Sequence, residues 1–208
     1  MKKLITIIAL LASISGFAQS ERYVAAMKKN LALFDSSKTT ADYQALSAAF
    51  ERIGDAEKTQ WLPYYYAGLA LATAGWADQK LNKDDNATKI KALCDKADAI
   101  GKSSEVFEIR NMAATQQMMI DPQSRWMTYG QEASGALTKG MEIDPKNPRL
   151  YYLQGMSVFN TPEAFGGGKA KAKPVFEKSV ALFKSEEVKP LYPKWGQKQA
   201  EDMLAQCQ

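Results

Sequence analysis

Three observations on this 208-residue sequence predict an all-α fold. Apolar residues recur at intervals of three and four along almost the whole chain, which is the period of a helix with one buried face. No segment shows the apolar–polar alternation that is typical of a half-buried strand. Proline and glycine fall between the periodic segments, where they end one helix or begin the next.

The first half of the chain is expected to form five helices, at 21–35, 40–53, 59–75, 85–101 and 104–120. Four of these are indicated by apolar residues that share a face: Val24, Met27, Leu31 and Phe34; Tyr43, Leu46, Phe50 and Ile53; Ile90, Leu93, Ala97 and Ile100; Val106, Ile109, Ala113 and Ile120. The helix at 59–75 is almost entirely apolar from position 64 to 74, a run too short to span a bilayer.

Four further helices are predicted, which makes about nine in total: 124–143, 148–160, 170–184 and 194–206. Three of them have repeated apolar positions: Ala133, Leu137 and Met141; Phe176, Val180 and Phe183; Ala200, Met203 and Leu204. The helix at 148–160 has Asn147 as its cap and Pro148 in its first position, where a missing N–H has no cost. Gly166 to Gly168 breaks the chain before the next helix.

The N-terminal residues have the composition of a cleaved secretory signal. Lys2 and Lys3 precede an apolar stretch at 4–14, and the small residues Gly16 and Ala18 follow at the spacing of a cleavage site. A membrane anchor is the alternative, but the apolar stretch is short for a bilayer span. We therefore expect cleavage after Ala18 and a periplasmic or secreted protein.

Cleavage divides the chain into a signal peptide, 1–18, and a single expected domain, 19–208. Removing Lys2 and Lys3 lowers the formal net charge from +4 to +2. A charge so close to neutral gives no indication of binding to nucleic acid or to an anionic membrane. We expect no nucleic-acid partner and no membrane span after cleavage.

The absence of histidine narrows the chemistry that this chain can carry out. It excludes Ser-His-Asp and Cys-His catalysis, histidine-ligated zinc and histidine proton transfer. Cys94 and Cys207 are too few for a four-thiolate metal site, and the sequence leaves open whether they pair. We expect no metal, no cofactor and no enzymatic activity.

The helices also repeat in pairs, with large and small residues at the offsets of a tetratricopeptide repeat. One second helix contains Ala133, Leu137, Gly140 and Met141, followed by Pro145. The next repeat has Tyr151 and Gly155 in its first helix, and Ala172, Phe176, Ser179 and Val180 in its second. An earlier and less regular unit contains Tyr64 and Gly68.

Together with the segments 59–66, 144–152 and 161–168, these repeats resemble a family of exported, tetratricopeptide-like proteins of diderm bacteria. The resemblance covers nearly the whole mature chain and brings no catalytic residues with it. It implies a right-handed stack of antiparallel helix pairs, an α-solenoid. In such a stack, small residues such as Gly68 and Gly155 let neighbouring helices approach, while larger ones such as Phe176 fill the gap between them.

Other motifs have simpler structural explanations than catalytic ones. Gly166 to Lys169 lacks the earlier glycine, the following Ser or Thr and the preceding strand of a phosphate-binding loop. It is better explained as a turn, with Phe165 packed beneath it. Asp84 to Asn86 lacks the twelve-residue calcium loop and its closing glutamate. The other carboxylates, Glu108 among them, are expected at helix ends or on solvent faces, and they have no spacing that would pair them across a cleft, as glycoside hydrolysis requires.

The aromatic residues supply the candidate binding site. Tyr64 to Tyr66 are consecutive on one helix and cannot all point into the core, so Trp61, Tyr65, Tyr152 and the nearby Arg149 are candidates for a concave face. The alternative is that they pack against a neighbouring helix pair or the termini. The nine methionines could likewise mark an adaptable surface, although methionine more often fills gaps in a core.

Three functions are therefore under consideration, in this order. The first is a non-catalytic scaffold that recognises a peptide or envelope protein through its concave face. The second is a small-molecule-binding helper of an envelope transport system, for which a pocket between repeats would be evidence. The third is an enzyme with paired carboxylates in a deep cleft.

Overall fold

The computed structural model describes residues 21–208, and this part of the chain contains helices and no strand. The expected signal peptide lies outside the described residues. The α-helices are α1 (Glu21–Ser36), α2 (Thr40–Glu57), α3 (Leu62–Ala77), α4 (Lys83–Ile100), α5 (Ser104–Met118), α6 (Pro122–Arg125), α7 (Gln131–Ile143), α8 (Pro148–Asn160), α9 (Lys169–Ser185) and α10 (Gln197–Gln206). A π-helical segment, Trp126–Gly130, joins α6 to α7, and a 3₁₀ turn, Glu163–Phe165, precedes α9.

The all-α prediction is confirmed, and the helices pack as consecutive pairs. The helix predicted at 124–143 is continuous from α6 through the π-helical segment to α7, so the predicted series agrees with the observed one to within a few residues. α3 contacts α5, and α5 contacts α8, in addition to their neighbours in sequence. These contacts stack one pair on the next. The right-handed twist and the tetratricopeptide character stay predictions.

Side-chain caps explain where several helices begin. Thr39 and Asp42 form a reciprocal capping box at α2, in which the Asp42 N–H donates to Thr39 Oγ1 at 3.1 Å. At α8, the Asn147 side chain accepts the Arg149 N–H at 3.0 Å, and Pro148 occupies the first turn, as predicted. The cap of α8 thus fixes the position of Arg149 in the fold.

The core follows the stacking of the pairs. One large cluster of buried residues extends from α1 to α5 and includes Leu191 from beyond α9. A smaller cluster surrounds Phe176 between α8, α9 and α10. A Cβ at Gly155 would lie 2.5 Å from the Phe176 ring, and one at Gly68 would lie 2.8 Å from Ile109. The predicted close approach at these two glycines is confirmed.

The glycine turn before α9 differs from its expected packing. Phe165 does not pack beneath the glycine turn, since it is 82% exposed, and that expectation was wrong. At this turn the backbone itself is closely packed, because a Cβ at Gly167 would collide with the carbonyl oxygen of Thr161.

Cys94 and Cys207 are buried free thiols in different clusters. Among the described helices, none is long and apolar enough to cross a membrane.

We expect Gly155→Ala to lower the free energy of unfolding by about 1–3 kcal/mol, because the added methyl group overpacks the buried Phe176 ring. Gly135→Ala is the matched control. It lies within α7 with open space around it, so alanine should stabilise the helix by up to about 1 kcal/mol. Urea unfolding of both variants measures the difference, and equal values would contradict the close packing of α8 on α9.

Candidate functional site

All four predicted site residues contact or lie next to one irregular segment, residues 186–196, which we call the strap. Tyr192 of the strap packs edge-on against Trp61 with ring centroids 5.7 Å apart, and Trp195 packs in the same way against Tyr152 at 6.3 Å. The Trp195 Nε1–H donates to the Tyr65 hydroxyl at 2.8 Å. The strap therefore covers the aromatic face that the sequence proposed for a partner.

Burial separates the four candidates. Tyr65 and Arg149 are 1% and 2% exposed, so neither reaches solvent while the strap is in place. Trp61 and Tyr152 are half-buried at its edges. The structure brings these residues together through a segment of their own chain, which is close to the alternative that they pack against a terminus. Their contact with an external partner stays a prediction.

A chain of buried hydrogen bonds extends from the strap into the helix stack. The Tyr65 hydroxyl donates to Glu108 Oε2 at 3.1 Å, and Asn147 Nδ2–H donates to Glu108 Oε1 at 2.8 Å. The same Asn147 amide lies 3.0 Å from Ser104 Oγ. Since Asn147 is also the cap of α8, this network joins α3, α5, α8 and the strap. Glu108 was not among the sequence candidates, because the sequence placed it with the carboxylates of helix ends and solvent faces. Its side chain is 0% exposed, so that expectation was wrong.

Arg149 is the charged centre of this region. Its guanidinium donates to Glu186 Oε1 at 2.5 Å and to the Pro193 carbonyl at 2.6 Å, both on the strap. The same group lies over the rings of Phe183 and Trp195, with its central carbon 5.3 and 5.7 Å from their centroids. The planar guanidinium is suited to both kinds of contact. Its Nε is buried and, within residues 21–208, has no hydrogen-bond partner.

Glu108 is a buried carboxyl whose ionisation is suppressed. Removal from water raises its pKa from the usual 4.5 to about 8, although the Arg149 charge and the hydrogen bonds from Asn147 and Tyr65 favour the carboxylate. The folded protein therefore keeps this carboxyl largely protonated near neutral pH. Glu186, which is partly exposed at the strap, is then the carboxylate that pairs with Arg149.

A second feature is an exposed apolar surface at the junction of α5 and the π-helical segment, which we call the methionine–tryptophan surface. It consists of Met119, Ile120, Trp126 and Met127, each about half exposed. The π-helical segment packs closely on the end of α5, because a Cβ at Gly130 would lie 3.2 Å from Met118 Sδ. π-Helical insertions are frequent at functional sites, and exposed apolar patches commonly mark binding.

Charged residues border this surface. Arg125 Nη1 pairs with Asp84 at 2.8 Å, and Lys91 Nζ pairs with Glu132 at 2.7 Å. Both cations lie over the Tyr129 ring, at 5.6 and 5.4 Å from its centroid. An apolar surface with cations at one edge can hold a ligand that is apolar over most of its area and anionic at its rim. The nine methionines in the sequence suggested an adaptable surface, but the sequence could not distinguish buried Met112 from exposed Met119 and Met127.

A third feature is an open cleft of about 520 Å³ between α2 and α4. Its floor includes Leu71 and Leu93, and its rim includes Glu51 and Lys96, which form an ion pair at 2.8 Å. The volume lies in the range of small-molecule sites, and the lining also includes Asp85 and Lys89, which form no ion pair within residues 21–208. In the described part of the chain, no group of three Cys, Asp or Glu residues could hold a metal ion.

We expect the free energy of unfolding to fall as the pH rises from about 4.5 towards 8, because unfolding releases a proton that folded Glu108 retains. Glu108→Gln should remove this component. The stability difference between variant and wild type should then grow with pH by at most about 1.4 kcal/mol per pH unit. Urea unfolding between pH 5.5 and 8.5 tests this. Glu142→Gln is the control, because Glu142 is an exposed residue on α7. Parallel pH profiles for E108Q and wild type would contradict the burial of a proton.

Comparison with known proteins gives one informative match. No family model matches the sequence, and no curated protein matches it significantly. A solved structure, the HusA haemophore from Porphyromonas gingivalis, superposes with a TM-score of 0.82 at 35% identity, over 92% of this chain and 95% of that one. That protein binds a ligand and is not an enzyme, in agreement with the expected absence of catalysis. At this identity over nearly the full length of both chains, the present chain belongs to the same family of all-helical proteins as the HusA haemophore.

Proposed function

We propose that this chain binds haem, or a closely related tetrapyrrole, and carries it outside the cytoplasm. The observation that supports this most strongly is the full-length similarity to a haemophore at 35% identity. It favours the small-molecule alternative from the sequence over the peptide-binding scaffold. The expected signal peptide is consistent with such a role, since a carrier of this kind works in the periplasm or beyond the cell.

The methionine–tryptophan surface is the proposed site. Haem is a flat ring system whose faces are apolar, and Trp126 can stack on such a face while Met119 and Met127 contact its edge. These three side chains are exposed without any rearrangement of the fold. An exposed, adaptable surface is suited to a carrier, which has to release its ligand as well as bind it.

The chemistry of the chain limits how the iron could be held. Histidine, the usual axial ligand, is absent. Both cysteines are buried, while Met119 and Met127 present thioethers, which are known haem ligands, at the proposed surface. The two carboxylates of haem would lie towards Lys91 and Arg125. These cations already have carboxylate partners, so ring contacts are expected to provide most of the affinity.

We expect Trp126→Ala to weaken haem binding about tenfold, because aromatic anchors in binding surfaces contribute more than about 1.4 kcal/mol. Met127→Ala should have a smaller effect in the same direction. Haem titration followed by absorbance measures both. Leu33→Ala is the matched control, since Leu33 is a similarly exposed apolar residue on α1.

The two parts of the proposal fail separately. A wild-type protein that binds no haem would contradict the function. Tight haem binding that is equal in wild type, Trp126→Ala and Leu33→Ala would retain the function and move the site elsewhere on the molecule.

A further inference from the structure

The strap is attached to the helix stack by a small number of side-chain contacts. Its own backbone bonds are local, such as the Tyr192 N–H to the Lys189 carbonyl at 3.1 Å. The Tyr66 hydroxyl donates to the Leu191 carbonyl at 2.7 Å, and Arg149 donates to the Pro193 carbonyl. The strap therefore resembles a bound peptide more than a part of the helical framework.

The strap is also conformationally strained at one residue. Leu191 has a φ of +69°, a left-handed conformation that a branched side chain rarely adopts. Such residues persist only where the surroundings hold them, and they are found at ligand clamps and switches. Leu191 is held by the burial of its side chain and by the bond from Tyr66 to its carbonyl.

The surface beneath the strap has the composition of a binding site. Arg149 is 2% exposed and lies over the Phe183 ring, and its buried Nε has no hydrogen-bond partner within residues 21–208. Removing Glu186 would leave a buried cation without its carboxylate, which is strongly unfavourable. The buried Glu108 carboxyl is already engaged, since it accepts hydrogen bonds from Asn147 and Tyr65. A ligand that takes the strap's place and keeps Arg149 shielded from water therefore has to bring an anion.

We propose that the strap closes a second binding site, built on Arg149, Trp61, Tyr65 and Tyr152, whose ligand is an aromatic molecule that carries a carboxylate. In the closed form, Glu186 occupies the place of the ligand's carboxylate and Trp195 the place of its ring. Ligand binding and strap release are then one equilibrium. The site is separate from the methionine–tryptophan surface, and it does not depend on the proposed haem binding.

The class of ligand follows from the two strap residues, Glu186 and Trp195, whose side chains contact Arg149; Pro193 contacts it through its backbone carbonyl. Glu186 offers the guanidinium two carboxylate oxygens, at 2.5 and 3.2 Å from its terminal nitrogens. Trp195 lies over the same guanidinium and donates to Tyr65. A ligand that replaces both has to combine an anionic group with a flat ring. The half-buried Trp61 and Tyr152 would border that ring.

The probe for this site is 1-pyrenebutyrate, a fluorescent aromatic carboxylate, with the neutral 1-pyrenebutanol as its uncharged counterpart. All proteins carry Trp126→Ala, so that binding at the methionine–tryptophan surface is reduced. Glu186→Gln removes the strap's carboxylate, and Trp195→Phe removes its N–H donor while retaining a ring. Both changes favour the open form, and the apparent affinity scales with the fraction of protein that is open. We expect each to bind pyrenebutyrate at least about five times more tightly.

Glu187→Gln is the matched control, because it makes the same change at the adjacent, exposed position. Its affinity should equal that of the parent, and pyrenebutanol should bind all four proteins weakly. Saturating pyrenebutyrate should accelerate hydrogen exchange at 187–195 in the parent protein. The proposal is overturned if pyrenebutyrate binds all four proteins equally, if pyrenebutanol binds as tightly as the acid, or if strap exchange does not respond to the probe. Trp195→Phe serves as the conservative variant if Glu186→Gln does not fold.

Discussion

The burial of the Arg149 guanidinium is the constraint on which the C-terminal half of the molecule depends. A cation removed from water needs an anion and hydrogen-bond acceptors, and here the strap supplies the Glu186 carboxylate and the Pro193 carbonyl to the terminal nitrogens of Arg149. The cap of α8 holds Arg149 in place, and the same capping residue, Asn147, bonds to Glu108. The strap, α8 and α5 are thus connected by one set of polar contacts within an otherwise apolar stack.

Most of the fold could be predicted from the sequence, because each helix has a local signal. The three- and four-residue periodicity, the cap at Asn147 and the glycines that face Phe176 or Ile109 act within one helix or between adjacent ones. The strap has no periodicity, and its partners Tyr65 and Tyr66 lie about 130 and 125 residues earlier in the sequence. Single-sequence patterns do not detect contacts at that distance.

The candidate site could be predicted only in part for the same reason. Aromatic residues at Trp61, Tyr65 and Tyr152 are conspicuous in the sequence, but whether a groove is open or filled depends on a segment remote from it. Conversely, the methionine–tryptophan surface could not be predicted from the sequence, since an exposed methionine cannot be distinguished there from a buried one. The π-helical segment, which carries Trp126 and Met127 on a break in the regular helix, has no sequence signature.

The separation in sequence between the strap and its partners has a consequence for the order of assembly. Helix pairs make contacts close in sequence and can form as soon as both helices are available. The tyrosines of α3 and the arginine of α8, in contrast, stay without their final partners until the strap, residues 186–196, has arrived. A chain threaded across a membrane from its N-terminus would therefore pass through a stage with an open aromatic face and an uncompensated cation. Docking of the strap is the event that converts this intermediate into the closed molecule.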